Sequence, residues 1–493
     1  MLAAHFPVLL VVTPLVTAPL IVVVRSARAG WAMALAACLA AVLMAAQLLA
    51  RVAASGPVSY AIGSWPPPWG IEYRVDAASA LVALLVASLG AASVVYARRS
   101  TAAEIGGERQ YLFYALMMLC LAGLLGMVVT GDAFNLFVFL EISSLSTYVL
   151  VALGRARRAL TESFQYLILG TVGATFYVMG VGILYLATGT LNLADLAARL
   201  PNAADPRAAT VAIAFITAGL GLKLAMFPLH AWLPNAYAHA PSAVSAFLAG
   251  TATKVSIYAL ARIWFSVYGA DGMLRDIPVA PLLAALSVAA AFIASGAAIV
   301  QDDLKRMLAY SSVGQIGYIT LGLSLATEPG VAAAVAHVVN HGVTKSALFL
   351  LAGGMALRLG GTRFSDLAGV GRTMPVTTFA FVIGGFSLIG VPGTAGFVTK
   401  WALAGAAIRA GQPAFAAVVL LSSLLAVAYI WRFVECAYFR EPPAGAPAPG
   451  EAPASMTGTA LALTAAVVAM GLHGAPVLLA AERAAAALMG GAR

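Results

Sequence analysis

With 493 residues, 62% of them hydrophobic and only 10% charged, and a mean hydropathy of +0.95, the chain lies far from soluble domains, which carry about 25% charge. Its formal charge of +9 is spread through short loops, so it reports membrane orientation and gives no reason to expect a nucleic-acid partner. Cys38, Cys120 and Cys436 stand apart within apolar runs, without CxxC or zinc spacing, and read as small core residues.

Fourteen apolar runs are centred near residues 16, 42, 86, 120, 142, 175, 219, 253, 290, 316, 343, 384, 423 and 468. Each is close to the ~20 residues that cross a bilayer, so an all-α polytopic membrane protein is expected. The first run follows no charged leader or small-residue cleavage site and is expected to be a retained helix. Ser55 to Asp76 reads as a loop rich in Gly, Pro and Trp, with Trp65 and Trp69 suited to the membrane interface. The third run ends at Tyr96, before a polar stretch from Arg98 to Arg109. Thr130-Gly-Asp132 joins the fourth and fifth runs, and Arg155, Arg157 and Arg158 close the fifth. A short amphipathic piece, Leu191 to Leu200, precedes the seventh. Gln301-Asp-Asp-Leu-Lys-Arg306 reads as a loop in which Asp302 and Lys305 are solvated. Glu441 to Ser455 reads as an extended, mobile Pro/Ala-rich linker, and a final helix ends the chain.

Two runs are interrupted. The seventh carries Lys223 within its helical part, and Pro228, which lacks a backbone donor, follows five residues later. Pro234 comes next, with His230, Trp232 and His239 in or near the break; Pro241 follows, and a new apolar helix carries Lys254. Such a break is tolerated at membrane depth only where protein or a water-filled cavity satisfies the freed backbone groups. The second interruption reads Ile389-Gly-Val-Pro392-Gly-Thr-Ala-Gly-Phe-Val-Thr-Lys400. Corresponding interruptions in two halves point to inverted repeats around a midplane site.

Glu141 is the acidic residue placed near the middle of a span, where an ionised carboxylate costs several kcal/mol unless paired or hydrated. Lys223 is its expected partner, and Ser143, Ser144, Ser146 and Thr147 offer hydroxyls nearby. Lys223, Lys254, Lys345 and Lys400 all lie within spans. Burial disfavours the charged form of a lysine, which equips it to release and rebind a proton. His337, His341 and Lys345 recur at i, i+4 and i+8, on one helical face, and read as a proton relay. A metal is not expected there, because no acidic or thiol ligand accompanies the histidines. The plain alternatives are a hydrogen-bonded structural Glu, a snorkelling lysine and packing histidines.

Fifteen Lys and Arg residues lie in loops after odd-numbered runs, against nine on the other side, which places the odd loops in the cytoplasm and both termini outside.

From about Tyr73 to Tyr438 the sequence resembles the antiporter-like subunits shared by respiratory complex I, membrane-bound hydrogenases and Mrp-type cation/proton antiporters. Thr130-Gly-Asp-Ala-Phe-Asn-Leu-Phe-Val-Phe-Leu-Glu141, Ala187-Thr-Gly-Thr-Leu-Asn-Leu-Ala-Asp195 and Lys223 to Pro234 look most like the D-type subunit of Mrp antiporters. The resemblance implies fourteen helices, with two inverted five-helix repeats at 111–266 and 279–440. N-terminal helices at 1–110 precede them, and the linker with helix fourteen follows at 441–493. It implies broken helices seven and twelve, supported here by Pro228, His230, Pro234 and Pro392. The residues that look like the family's proton path are Glu141, Lys223, Lys254, His337, His341, Lys345 and Lys400. The sequence stops after the fourteenth run, so the long lateral helix of larger relatives is not expected. No Gly-rich nucleotide loop, cysteine cluster or haem signature is present, and no redox cofactor is expected. The implied function is proton translocation coupled to sodium efflux, beside other membrane subunits. The alternative is a proton-pumping subunit of an NADH:quinone oxidoreductase or hydrogenase.

Overall fold

The computed structural model describes residues 2–203, 206–270, 279–442 and 450–490. Helices α1 (Phe6–Val24) and α2 (Ala27–Ser55) are joined by a tight corner. Arg25 takes a left-handed conformation (φ 52°) that ends the first helix, and the Ser26 hydroxyl caps the second. The expected loop after α2 is a two-stranded antiparallel ribbon, β1 (Val58–Ala61) and β2 (Glu72–Val75), with Val58 opposite Val75. Val58, Tyr60, Tyr73 and Val75 favour extended backbone, and a four-residue strand is too short to show as a periodicity. Trp65 and Trp69 lie between the strands and stand 69% and 89% exposed.

Asp76 opens α3 (Ala77–Glu104) in a reciprocal cap with Ser79. This helix runs on through the stretch beyond Tyr96 that reads as polar loop. There follow α4 (Gln110–Val129), α5 (Ala133–Ala152), α6 (Arg158–Thr188) and the short α7 (Leu193–Arg199). The side chains of Asp132 and Asn192 cap α5 and α7 by accepting backbone N–H groups. The seventh pass is split into α8 (Pro206–Lys223) and α9 (Trp232–His239). Then come α10 (Ser242–Val267), α11 (Val279–Ile299), α12 (Leu304–Ser324) and α13 (Glu328–Leu359). After the short α14 (Val370–Thr373), the twelfth pass is split into α15 (Pro375–Ile389) and α16 (Ala395–Arg409). The fold closes with α17 (Pro413–Phe439), α18 (Ala454–Leu472) and α19 (Ala475–Met489).

Eleven described helices are long and apolar enough to cross a membrane. The two split passes and α12 complete the fourteen expected. Lys305, Arg306, Ser311, Ser312, Gln315 and Thr320 lower the hydropathy of α12, yet nearly all of it is buried. A span enclosed by protein can carry polar groups that a lipid-facing span cannot. Its neighbour α13 touches α10, α12, α15, α16, α18 and α19, and so forms the axis of the second half.

Three readings of the sequence are corrected. Lys305 is not a solvated loop charge: Asp303 caps α12 just before it, and the residue is only 5% exposed. Asp302, by contrast, is exposed as expected. Arg262, one of the nine loop charges counted on the outer side, lies in the last turns of α10 and pairs with Asp76 at 2.7 Å. Burial alone would raise the Asp76 carboxyl, but the Arg262 guanidinium and Ser79 more than offset this and hold it at about 2. Finally, the chain does not end with the fourteenth pass: α19 runs beside the ribbon face, where Ser266 Oγ donates to Leu488 O at 2.9 Å. Arg275, Arg493 and residues 443–449 of the linker lie outside the described residues.

Candidate functional site

The first break begins where α8 ends at Lys223 and Ala225 adopts φ 59°. Trp232 Nε1 donates to Leu222 O at 2.9 Å, so a side chain from beyond the break joins Ala225 N, at 3.2 Å, as a donor to the last carbonyls of the helix. Trp232 stacks flat on Tyr166, with ring centroids 4.0 Å apart. Pro228 lies within the break, while Pro234 falls in the first turn of α9, where no helical donor is needed. His230 stacks on Phe227 and meets Tyr310 of α12 in a T-shaped pair.

Across from this break, Glu141 on α5 approaches Lys223, with Nζ and Oε1 3.7 Å apart. Lys223 also donates to Ser144 Oγ at 2.7 Å and Tyr148 Oη at 3.2 Å. The hydroxyls expected beside the carboxylate bond elsewhere. Those of Ser143, Ser146 and Thr147 donate to backbone carbonyls, and that of Ser144 accepts from the lysine. Among the described residues Glu141 Oε1 has no hydrogen-bond partner, and the Glu141 side chain is 24% exposed on the α5 surface, against 5% for Lys223.

The second break uses the same device with the lysine itself. Gly390 (φ 92°) and Gly393 (φ 84°) turn the chain around Pro392, and Lys400 reaches back across it. Its Nζ donates to Leu388 O at 2.7 Å, Ile389 O at 3.1 Å and Ser423 Oγ at 2.9 Å. An ammonium at the open C-terminal end of α15 is also favoured by the helix dipole.

A third discontinuity carries no proline. At Thr251 (φ −124°, ψ −58°) α10 is interrupted, and Lys254 Nζ donates to the carbonyl of Ala249. The cause is tertiary. A Cβ at Gly250 would meet Ser346 Oγ at 2.1 Å, and one at Gly342 would meet Gly250 O at 2.9 Å, so only glycines allow α10 and α13 to approach this closely.

Along α13, Lys345, His341 and His337 follow one another on a buried face. Lys345 Nζ donates to Leu308 O at 2.8 Å and to the Ser311 hydroxyl, both on α12. The His341 ring lies nearly parallel to that of His337 at 6.1 Å, and both its nitrogens are buried without a hydrogen-bond partner among the described residues. His337 bridges to α12 through Gln315 Oε1 (Nε2, 3.0 Å) and to α16 through Thr399 Oγ1 (Nδ1, 2.8 Å). The Thr399 hydroxyl can donate to or accept from Nδ1, so both the neutral and the cationic ring keep a partner there. Tyr318 lies edge-on to His337, and Lys400 Nζ sits 4.7 Å from the centre of its ring.

Thus the structure pairs Glu141 with Lys223, stacks His341 beside His337, and brings Lys400 to His337 through the Tyr318 ring, while Lys345 lies one turn from His341 on the same face of α13. Among the described residues, Lys223 and Lys254 share no direct hydrogen bond. Gln315, Thr399 and Tyr148 escaped the reading of the sequence, whereas Ser144 was expected near Glu141 and binds Lys223. Gln315 alone carried a signal, as an amide in mid-span. Among the described residues, no three His, Cys, Asp or Glu side chains cluster to hold a metal.

Fourteen described helical passes, two Pro/Gly-broken spans and a buried lysine beside each break define an antiporter-like polytopic membrane protein. The chain belongs to the NADH:quinone oxidoreductase/Mrp antiporter transmembrane family, which it matches over residues 130–426. It is 45% identical over 499 residues to the NADH-quinone oxidoreductase subunit N of Desulforudis audaxviator (strain MP104C), covering 97% of each chain. It is 32% identical over 400 residues to the D-type subunit of the Na(+)/H(+) antiporter of Alkalihalophilus pseudofirmus, covering 81% of this chain and 80% of that one. Its structure resembles a chain of the Mrp complex from Dietzia sp. DQ12-45-1b, with a TM-score of 0.91 and 28% identity over 99% of this chain and 98% of the other.

Proposed function

We propose that the chain is the proton-translocating membrane subunit of a multisubunit monovalent cation (Na+)/H+ antiporter. It would work beside other membrane subunits in the cell membrane, with odd-numbered loops cytoplasmic and both termini outside. Residues 111–266 and 279–440 form two inverted half-units, and protons move along Glu141, Lys223, Lys254, Lys345, His341, His337 and Lys400. One observation carries this reading. Lys254, Lys345 and Lys400 are buried, yet they donate to main-chain carbonyls and hydroxyls, with no carboxylate within 4.0 Å among the described residues. A lysine kept as a fixed structural charge needs a buried counter-charge. A lysine held by neutral acceptors can give up its proton without stranding an unpaired carboxylate. Lys223, which does face Glu141, is the point where a neighbouring charge can tune that exchange.

A second reading, a proton-pumping subunit of an NADH:quinone oxidoreductase, is favoured by the 45% identity to an oxidoreductase subunit N. The same proton path serves both, and the driver lies in other chains. Purifying the intact complex, identifying its subunits and measuring proton flux under a sodium gradient or with NADH separates them. Sodium-driven flux with further antiporter subunits is expected; NADH-driven flux with redox subunits would replace the first reading by the second. Flux under neither condition overturns both.

A further inference from the structure

We propose that Lys305, with Glu104 and Ser242, forms a proton inlet that delivers protons from the aqueous phase to Lys345. The inference rests on the proton-translocating function proposed above and names where its second half is loaded.

The face opposite the ribbon carries an open cleft of about 520 Å³, bounded by the ends of α3 and α9 and the start of α12. Its charged groups are Glu104, Arg155, His239, Asp303, Arg363 and Asp366, together with Lys305. Three of these are already engaged. Asp303 caps α12 and accepts from the Thr362 hydroxyl, Asp366 accepts from Arg363 N, and His239 Nδ1 lies 2.9 Å from Asn235 O. Lys305 differs from them. It lines the cleft but is 5% exposed, and its Nζ donates to Ser242 Oγ at 3.0 Å. Ser242 N in turn donates to Glu104 Oε2 at 2.7 Å. No carboxylate lies within 4.0 Å of the Lys305 ammonium among the described residues, as for Lys254, Lys345 and Lys400.

The other end of the connection is fixed by helical geometry. Leu308 lies one turn inward from Lys305 on α12, about 4.5 Å along the axis, and Ser311 lies about 9 Å along it. Leu308 O and Ser311 Oγ are the two acceptors that hold Lys345 Nζ. One further turn on, Gln315 holds His337. A single face of α12 therefore runs from the cleft to Lys345 and then to the histidine pair. In each transfer one H+ leaves the Lys305 ammonium and reaches the neutral Lys345 amine along that face. Lys305 is then reprotonated from the cleft, where the Glu104 carboxylate attracts hydronium. Only N–H and O–H bonds are exchanged.

A purely structural role would make Glu104 a cap for the N-terminus of α10 and Lys305 its balancing charge. Arginine would serve that role, because it keeps the charge and the donor, but it does not release a proton. The test compares Lys305→Arg, Lys305→His and Lys223→Arg in the purified intact complex, reconstituted in proteoliposomes. Proton flux is measured per assembled complex across a range of pH. The inlet requires Lys305→Arg to lose flux by about 100-fold, the usual scale for removing a proton-transferring group. Lys305→His must retain flux that falls away above about pH 6.5, where imidazole empties. Should the arginine variant fail to assemble, the histidine profile alone decides. Wild-type flux and an unshifted pH profile in the Lys305 variants, with Lys223→Arg inactive, overturn the inlet and leave the relay standing. Wild-type flux in Lys223→Arg as well removes the relay on which the inlet depends.

Discussion

Removing the carboxylate of Glu141 tests the coupling of α5 to the first break. At the observed Nζ–Oε1 separation of 3.7 Å, two unit charges attract by about 4.5 kcal/mol at an effective dielectric of 20, and by about 1 kcal/mol in water. The side chains are 24% and 5% exposed, so the value for this pair lies between those limits. That range changes the balance between the protonated and neutral forms of Lys223 by about 5-fold to 2000-fold. Lys223 keeps Ser144 and Tyr148 as partners when the carboxylate is gone, so insertion and folding should survive. Glu141→Ala is therefore expected to abolish transport at normal protein levels, and Glu141→Asp, which draws the charge back by one methylene, to keep part of it. The assay is dye-reported proton uptake by reconstituted complex, normalised to the amount of assembled protein. Wild-type uptake by Glu141→Ala in a fully assembled complex would refute the reasoning and remove Glu141 from the mechanism.

His337→Ala and His341→Ala should each slow proton flux by about 100-fold while lowering assembled protein far less, since the packing they lose is modest beside the transfer step. Parallel losses of protein and flux would instead identify packing residues. Asp76→Asn should destabilise the protein by about 3–5 kcal/mol, because it strands the Arg262 guanidinium in a site only 12% exposed; a lowered Tm in detergent reports this. Because the Asp76 carboxyl is held below its ordinary value of 3.8, the stability from this pair is fully present above that pH and is lost as pH falls through about 2. An acid unfolding curve unchanged between wild type and Asp76→Asn would contradict that linkage.

The helical passes and both proline breaks could be read from the sequence because their causes are local: long apolar runs, and prolines that remove a donor. The kink at Thr251 could not, because it arises where Gly250 and Gly342 bring two helices together from distant parts of the chain. Lys305 was misread for an instructive reason. Gln301-Asp-Asp-Leu-Lys-Arg306 has the polarity of a loop, but Asp303 is a helix cap, and an acidic cap just before an apolar run marks a buried helix start. The ribbon at Val58–Val75 was hidden by its brevity, and α19 by an alanine-rich composition that looks like tail. In the site, the charges declared themselves through the cost of placing them in a span. Their hydroxyl, amide and carbonyl partners did not, since Tyr148, Gln315, Thr399 and Leu388 O are ordinary groups until the fold brings them within bonding distance.

The central claim is that the buried lysines must give up their protons, and Lys223→Arg and Lys400→Arg test it most directly. Arginine keeps the charge, the long stem and donors for Ser144, Leu388 O and Ile389 O, yet holds its proton essentially always. Both variants should assemble, and proton flux in proteoliposomes of the purified complex should fall to background. Near-wild-type flux from both would contradict the relay and leave these lysines as scaffolding for the broken helices.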